Sequence, residues 1–75
     1  MSISIDDIVK IIKLQLGLKR VAPQSRLREE LGAESLDMQN ILMTLEDKYR
    51  ITISDEETAA IATVSDFHNL VQARV

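Results

Sequence analysis

Apolar residues recur at helical spacing in three stretches of the chain, which predicts three amphipathic helices packed through their apolar faces. The first stripe consists of Ile5, Ile8, Val9, Ile12 and Leu16. The second repeats at i, i+3, i+4, i+7 and i+11 and consists of Met38, Ile41, Leu42, Leu45 and Tyr49. The last consists of Val64, Phe67, Leu70 and Val71.

Residues that start and stop helices give the bounds of these elements. Ser4 precedes the first stripe and Gly17 follows it, so a helix is predicted over about Ile5–Leu16, with Asp7 placed for a capping box. The second helix is predicted over about Ser35–Tyr49.

The C-terminal part of the chain carries two further helix starts. Ser54 or Asp55 caps a short helix that ends near Ala60. The last helix follows Thr63, with Asp66 three residues later in a capping-box arrangement. The chain is therefore predicted to form four helices, of which the third is short.

Residues 18–34 form the longest connection, and Pro23 lies within it. Leu27 and Leu31 are spaced one turn apart and are expected to pin this loop to the core. The prediction is an all-α fold, a small four-helix bundle with a long loop between helices 1 and 2. Because of this loop, the first two helices need not form an adjacent up-down pair.

Length and composition exclude several classes of protein. The 75 residues make one domain, residues 1–75, and we expect a monomer. Without cysteine there is no disulfide, thiolate metal site or thiol nucleophile, which fits a reducing cytoplasm. No apolar run approaches the ~20 residues that cross a bilayer, so a soluble, cytoplasmic protein without membrane insertion is predicted.

Charge is divided unevenly along the chain, whose formal net charge is −3. Residues 1–28 hold six basic and two acidic residues (+4), whereas residues 29–75 hold three basic and ten acidic residues (−7). The acidic part predicts partners with basic surfaces. The basic stretch at Lys19, Arg20, Arg26 and Arg28 has no interleaved aromatics, so it indicates a solvated loop and not a nucleic-acid site.

Ser35 lies between a glycine-bearing turn and the predicted second helix. A serine at a helix start is commonly a cap, but the same place also favours an attached phosphate. The residues alone leave both interpretations open. A hydrolytic enzyme is excluded by the lack of a triad, since the single histidine, His68, has no catalytic companion and is expected at the surface or partly packed.

The serine belongs to the string Leu31-Gly32-Ala33-Glu34-Ser35-Leu36-Asp37. It is followed by Leu45-Glu46-Asp47-Lys48-Tyr49, by Ile51-Thr52-Ile53-Ser54-Asp55-Glu56-Glu57 and by Ile61-Ala62-Thr63-Val64. Together these strings resemble the acyl carrier protein family over residues 27–70, which is most of the chain.

The resemblance implies an acyl-carrier-like fold and a carrier without catalysis of its own. Ser35 is then implied to receive 4′-phosphopantetheine through a phosphodiester, and the thiol of that group to carry acyl groups as thioesters. The implied partners are a phosphopantetheinyl transferase and acyl-loading and acyl-transferring enzymes with basic docking surfaces.

Further site residues are carried over by the resemblance. Those implied to meet the transferase are Glu34, Leu36 and Asp37. Those implied to meet partner enzymes are Met43, Glu46 and Asp47. Leu36 and Met43 lie off the apolar stripe and are expected to be exposed, whereas the acids are also typical of a solvated helix face.

An acyl pocket between helices 2 and 3 is also implied by the resemblance. Its lining would be Leu45, Ile53, Ala59 and Ile61. Each of these residues is equally expected in an ordinary core, so the sequence does not separate a pocket from simple packing.

Several residues depart from the family pattern at the surface. Glu34 stands where aspartate is usual, Gln39 and Asn40 replace an aliphatic residue and an acid, and Ser54 replaces a common proline. These differences suggest a specialised carrier of a dedicated pathway. Two alternatives remain at this point: a peptidyl or aminoacyl carrier, and a non-covalent helical interaction module in which Ser35 is only a cap.

Overall fold

The computed structural model describes residues 2–75; Met1 of the expected domain lies outside them. It contains the helices α1 (Ile5–Leu16), α2 (Ser35–Tyr49), α3 (Asp55–Ala60) and α4 (Val64–Arg74). Residues 2–75 form no strand, only an isolated bridge between Arg26 and Thr63. The predicted all-α class with a short third helix is confirmed. Within this range, no helix combines the length and the apolar content that crossing a membrane requires.

Helix α1 is held at both ends by the expected residues. The Ser4 hydroxyl accepts a hydrogen bond from the Asp6 N–H at 3.1 Å, and the Asp7 N–H donates to the Ser4 carbonyl at 3.2 Å. The serine thus caps through Asp6, and the predicted box with Asp7 was wrong. Gly17 takes the left-handed conformation at φ 67°, where a glycine costs least.

The core lies where α1 packs against α2 and α4. The stripe residues form this core, and the largest side chains wholly shielded from solvent are Phe67, Ile8, Ile12, Leu27, Met38, Ile41, Leu45, Val64 and Val71. The outer members of the stripes, such as Leu16, Tyr49 and Leu70, are half-buried. Helices α1 and α2 are therefore neighbours despite the long connection between them.

The connecting segment (residues 18–34) is fixed to the junction between α3 and α4. The Leu27 side chain is fully buried, and its N–H donates to the Ala62 carbonyl at 2.9 Å. The Val64 N–H donates to the Ser25 carbonyl at 3.2 Å. The pinning role predicted for Leu27 is confirmed, and it places the segment against the end of α3.

The residues before α1 lie along α4. The Ile3 N–H donates to the Gln72 side-chain oxygen at 2.7 Å. His68 Nε2 donates to the Ile3 carbonyl at 2.6 Å, because a carbonyl oxygen can only accept. His68 is half-buried, so the expected partly packed histidine has a structural role.

Candidate functional site

Ser35 is the first residue of α2, and its side chain is exposed. The cap position belongs to Glu34, whose backbone is extended (φ −97°, ψ 176°) and whose N–H donates to Asp37 Oδ2 at 2.9 Å. The cap interpretation of Ser35 was therefore wrong. Its hydroxyl lies one residue inside the helix, next to first-turn N–H groups that carry partial positive charge.

The turn before Glu34 fixes where this serine lies. Gly32 is left-handed at φ 72°, a conformation that other residues adopt only with strain. The buried Ala33 follows, and its N–H donates to the Leu27 carbonyl at 2.9 Å. Since Leu27 is anchored in the core, the start of α2 is held by the body of the domain.

A small groove of about 150 Å³ opens beside the serine. Its walls come from the connecting segment, α2 and α3, and consist of Arg28, Ser35, Met38, Gln39, Asp55, Thr58 and Ala59. The groove combines one cation, one carboxylate, an amide and a few apolar atoms. It can therefore take both polar and apolar parts of a group attached to Ser35.

Arg28 is the residue at this site that the sequence did not indicate. Its guanidinium donates from Nη1 to the Ile61 carbonyl at 2.5 Å and from Nη2 to the Thr58 carbonyl at 3.2 Å. Arg28 is exposed, as expected for a solvated loop, but its guanidinium also has these two backbone partners, whereas that of Arg26 pairs with Glu29 at the surface. No local spacing connects Arg28 with α3, because the contact spans 30 positions or more.

The outer face of α2 exposes the two predicted apolar residues. The side chains of Leu36 and Met43 are 71% and 61% exposed, which confirms their expected exposure. Asp47 is exposed as well. Glu46 is half-buried, and one of its carboxylate oxygens accepts the Ile53 N–H at 2.8 Å, so it also holds the segment after α2.

A larger groove of about 780 Å³ runs along this face. It brings together Gln15, Asn40, Met43, Thr44, Glu46, Asp47, Ile51 and Thr52. Both charged residues in it are acids, so the groove suits a partner that presents a basic or hydrogen-bond-donating group. Gln15 joins it from α1 by donating to the Thr44 hydroxyl at 3.3 Å, a contact that the linear pattern does not show.

The family model for the phosphopantetheine attachment site matches residues 6–71. An acyl carrier protein from Thermotoga maritima is 32% identical and superposes with a TM-score of 0.73, covering 89% of this chain and 80% of its own. This chain belongs to the acyl carrier protein family. It is a carrier and not an enzyme, and its cofactor is 4′-phosphopantetheine.

Two further solved structures support the fold of the carrier. A protein from Mycobacterium tuberculosis assigned as an acyl carrier protein is 28% identical, with a TM-score of 0.87 over 92% of this chain and 95% of its own. The acetyl actinorhodin acyl carrier protein from Streptomyces coelicolor is 18% identical, with a TM-score of 0.76 over 95% and 88%. At that identity, the last likeness concerns the fold alone.

The residues at Ser35 fit the cofactor. The hydroxyl is exposed, first-turn N–H groups of α2 lie beside it, and Arg28 places a cation on the groove wall. When bound, phosphopantetheine supplies the thiol that carries acyl groups as thioesters, which this chain cannot supply because it has no cysteine.

The four residues expected to line an acyl pocket differ in burial: three are buried and one is exposed. Leu45, Ile53 and Ile61 are buried, with 0%, 5% and 5% of their surface exposed. Ala59 is exposed and lines the groove at Ser35. The small Ala59 thus shares a groove with the serine, whereas the other three residues are buried.

Proposed function

We propose that Ser35 bears the phosphopantetheine arm and that the carrier presents acyl thioesters to enzymes of a lipid or secondary-metabolite pathway. The observation that supports Ser35 is the use of the other serines within residues 6–71. Ser25 accepts the Ala22 N–H, Ser54 accepts the Glu57 N–H, and Ser65 donates to the Pro23 carbonyl. Among these serines, only Ser35 is exposed and has no capping role, because Glu34 occupies the cap position before it.

The attachment reaction uses the Ser35 hydroxyl as the nucleophile and coenzyme A as the donor. The hydroxyl oxygen forms a new bond to the phosphorus that bears the pantetheine group. The pyrophosphate P–O bond breaks, adenosine 3′,5′-bisphosphate leaves, and the hydroxyl proton goes to a base of the transferase. The carrier contributes an accessible oxygen on a rigid helix start, next to partial positive charge that favours the phosphodiester.

Intact-mass analysis tests this assignment. The apo protein is incubated with coenzyme A, Mg²⁺ and a broad-specificity phosphopantetheinyl transferase, and we expect the mass of one phosphopantetheine group to be added. Thiol titration gives an independent readout, since the apo chain has no cysteine. Ser35→Ala is expected to abolish both signals, and Ser65→Ala to keep them. Addition to Ser35→Ala, or none to the wild type with several transferases, would contradict the proposal.

The partner surface that we propose is the outer face of α2. Glu34, Leu36 and Asp37 would contact the transferase, and the groove with Met43, Glu46 and Asp47 would receive basic surfaces of acyl-handling enzymes. An exposed apolar residue surrounded by charge is typical of a docking site.

Leu36→Ala tests the transferase contact, and Leu14→Ala is a matched control because Leu14 is a leucine of α1 that is 83% exposed. The transferase kcat/KM should fall about tenfold for Leu36→Ala, as for loss of a modest contact worth roughly 1.4 kcal/mol. It should stay unchanged for Leu14→Ala. Equal values for the two variants would remove Leu36 from the proposed surface.

We further propose that the carrier serves a dedicated pathway, because Gln39 and Asn40 alter the face that partners meet. Leu45, Ile53, Ala59 and Ile61 would receive the acyl chain. Loading assays with malonyl and aminoacyl donors separate acyl from peptidyl carriage. Efficient malonyl loading and full elongation by general fatty-acid enzymes would refute the dedicated role.

A further inference from the structure

Arg28 differs from the other basic residues of the connecting segment in what its guanidinium contacts. Both of its bonds go to carbonyls at the C-terminal end of α3, Thr58 and Ile61. A cation is favourable there, because the carbonyl end of a helix carries partial negative charge. Arg28 therefore fastens the short α3 to the segment that leads into α2.

The charge of this guanidinium is not neutralised by a carboxylate. Within residues 2–75 the ion pairs are Arg26 with Glu29 and Arg74 with Glu57. Arginine keeps its charge at any ordinary pH and has five N–H donors, of which Arg28 gives two to carbonyls. Three donors and a full positive charge therefore remain.

Arg28 borders the groove that also contains Ser35. Arg28 lines this groove from the connecting segment, Gln39 from α2 and Thr58 from α3. Asp55 is the one acid among its lining residues, so its negative charge would repel a phosphodiester there unless a positive charge offset it. Arg28 is the only positively charged lining residue.

We propose that Arg28 binds the phosphodiester of the arm on Ser35 while it keeps its bonds to α3, so that attachment of the arm stiffens α3. The inference rests on the proposed attachment at Ser35. Arginine suits this double contact, because its planar fork can hold carbonyls on one side and a phosphate on the other. In the carrier, one side chain then connects the cofactor with the helix beside it.

The test compares apo and holo forms of the wild type and of Arg28→Gln. Arg26→Gln is the matched control, since Arg26 lies two residues away and pairs with Glu29 at the surface. Intact mass first verifies that each holo form carries the arm. Amide hydrogen exchange over residues 55–61 and the ³¹P resonance of the phosphodiester are then measured.

In the wild type and in Arg26→Gln, we expect exchange in α3 to slow about fivefold on attachment, the change given by an ion pair of roughly 1 kcal/mol. In Arg28→Gln this slowing should be absent and the ³¹P resonance should move. Slowing of equal size in Arg28→Gln would overturn the role of Arg28. A wild type that gains no mass would instead overturn the attachment proposal itself.

Arg28→Lys keeps the inference testable if Arg28→Gln does not fold. Lysine retains the charge, but as a point donor it cannot hold two carbonyls and a phosphate together. We expect its ³¹P resonance to stay near that of the wild type while the slowing of exchange in α3 falls by more than half. Slowing equal to that of the wild type would contradict the double contact.

Discussion

Helices α2 and α4 both begin near a hydroxyl residue, but they use it differently. At α4, Thr63 occupies the cap position and its hydroxyl accepts the Asp66 N–H at 3.2 Å. At α2, Glu34 occupies the cap position, and Ser35 follows as the first helical residue with an exposed side chain. A shift of one residue thus separates a hydroxyl that stabilises the fold from one that is open to chemistry.

The largest expected effect comes from reversing that shift in the double variant Glu34→Ser, Ser35→Ala. It keeps one hydroxyl at the start of α2 but puts it in the cap position, where it would accept a backbone N–H. We expect phosphopantetheine addition to fall below detection by intact mass, while circular dichroism shows an intact fold. The single variant Glu34→Ser is the control and should still be loaded. Full loading of the double variant would mean that moving the hydroxyl from position 35 to position 34 does not affect attachment.

The fold was predictable because each helix carries its own local signals. The stripes of α1, α2 and α4 and the caps at Ser54 and Thr63 act over three or four residues, which a linear reading captures. Burial of Leu27 was also predictable, since an apolar residue in a polar loop favours the core.

The groove at Ser35 could be predicted only in part. The serine was singled out by its neighbours, but only the backbone of Glu34 shows that Ser35 does not occupy the cap position. Arg28 was missed because its partners, Thr58 and Ile61, are distant in sequence and are backbone carbonyls, which every residue has. Contacts of this kind leave no trace in a pattern of side-chain types.

Thermal unfolding should show the same contrast between the two hydroxyls. Thr63→Ala removes a cap, with an expected loss of about 1 kcal/mol and a fall in Tm of roughly 4–8 °C for a domain of this size. Ser35→Ala should stay within about 0.5 kcal/mol, as for an exposed position without structural bonds. Thr63→Ser keeps the cap and serves as the control. Comparable losses for Thr63→Ala and Ser35→Ala would show that Ser35 has a structural role after all.

Acid should weaken the capped helix starts. Hydrogen bonds from the Thr63 and Ala62 N–H groups hold the pKa of Asp66 below its ordinary 3.8, and the Ser54 N–H and then Arg74 hold that of Glu57 below 4.5. Because the folded pKa values lie below the unfolded ones, this stabilisation is complete above about pH 5 and is lost as pH falls through the folded values. Tm should therefore decline below about pH 4.5.

Asp66→Asn isolates one of these carboxylates. It should lower Tm at pH 7 and make the acid decline shallower, because one group no longer takes up a proton on unfolding. Asp47→Asn, at an exposed position of α2, is the control and should leave the free energy of unfolding at pH 7 within about 0.5 kcal/mol of that of the wild type. An acid decline in Asp66→Asn as steep as in the wild type would assign the pH dependence to other groups.

The smallest effect is expected at α1. Ser4 is exposed, and Ser4→Ala removes its bond to the Asp6 N–H at a cost of about 0.5 kcal/mol, the low end for caps. Amide exchange should speed up in the first turn of α1 and stay unchanged in α4. A loss of free energy of unfolding as large as that of Thr63→Ala would mean that the exposure of a cap residue does not determine how much its cap stabilises the fold.

The bond between Ile3 and Gln72 brings together two points 69 positions apart in the chain. His68 also binds Ile3, so the residues before α1 and the C-terminal part of α4 lie close together. A domain of this topology can be spliced into a surface loop of a host protein without forcing the two sides of the insertion apart. Positions just before Ile3 and just after Arg74, where α4 ends, are therefore suitable junctions for building the carrier into a larger assembly.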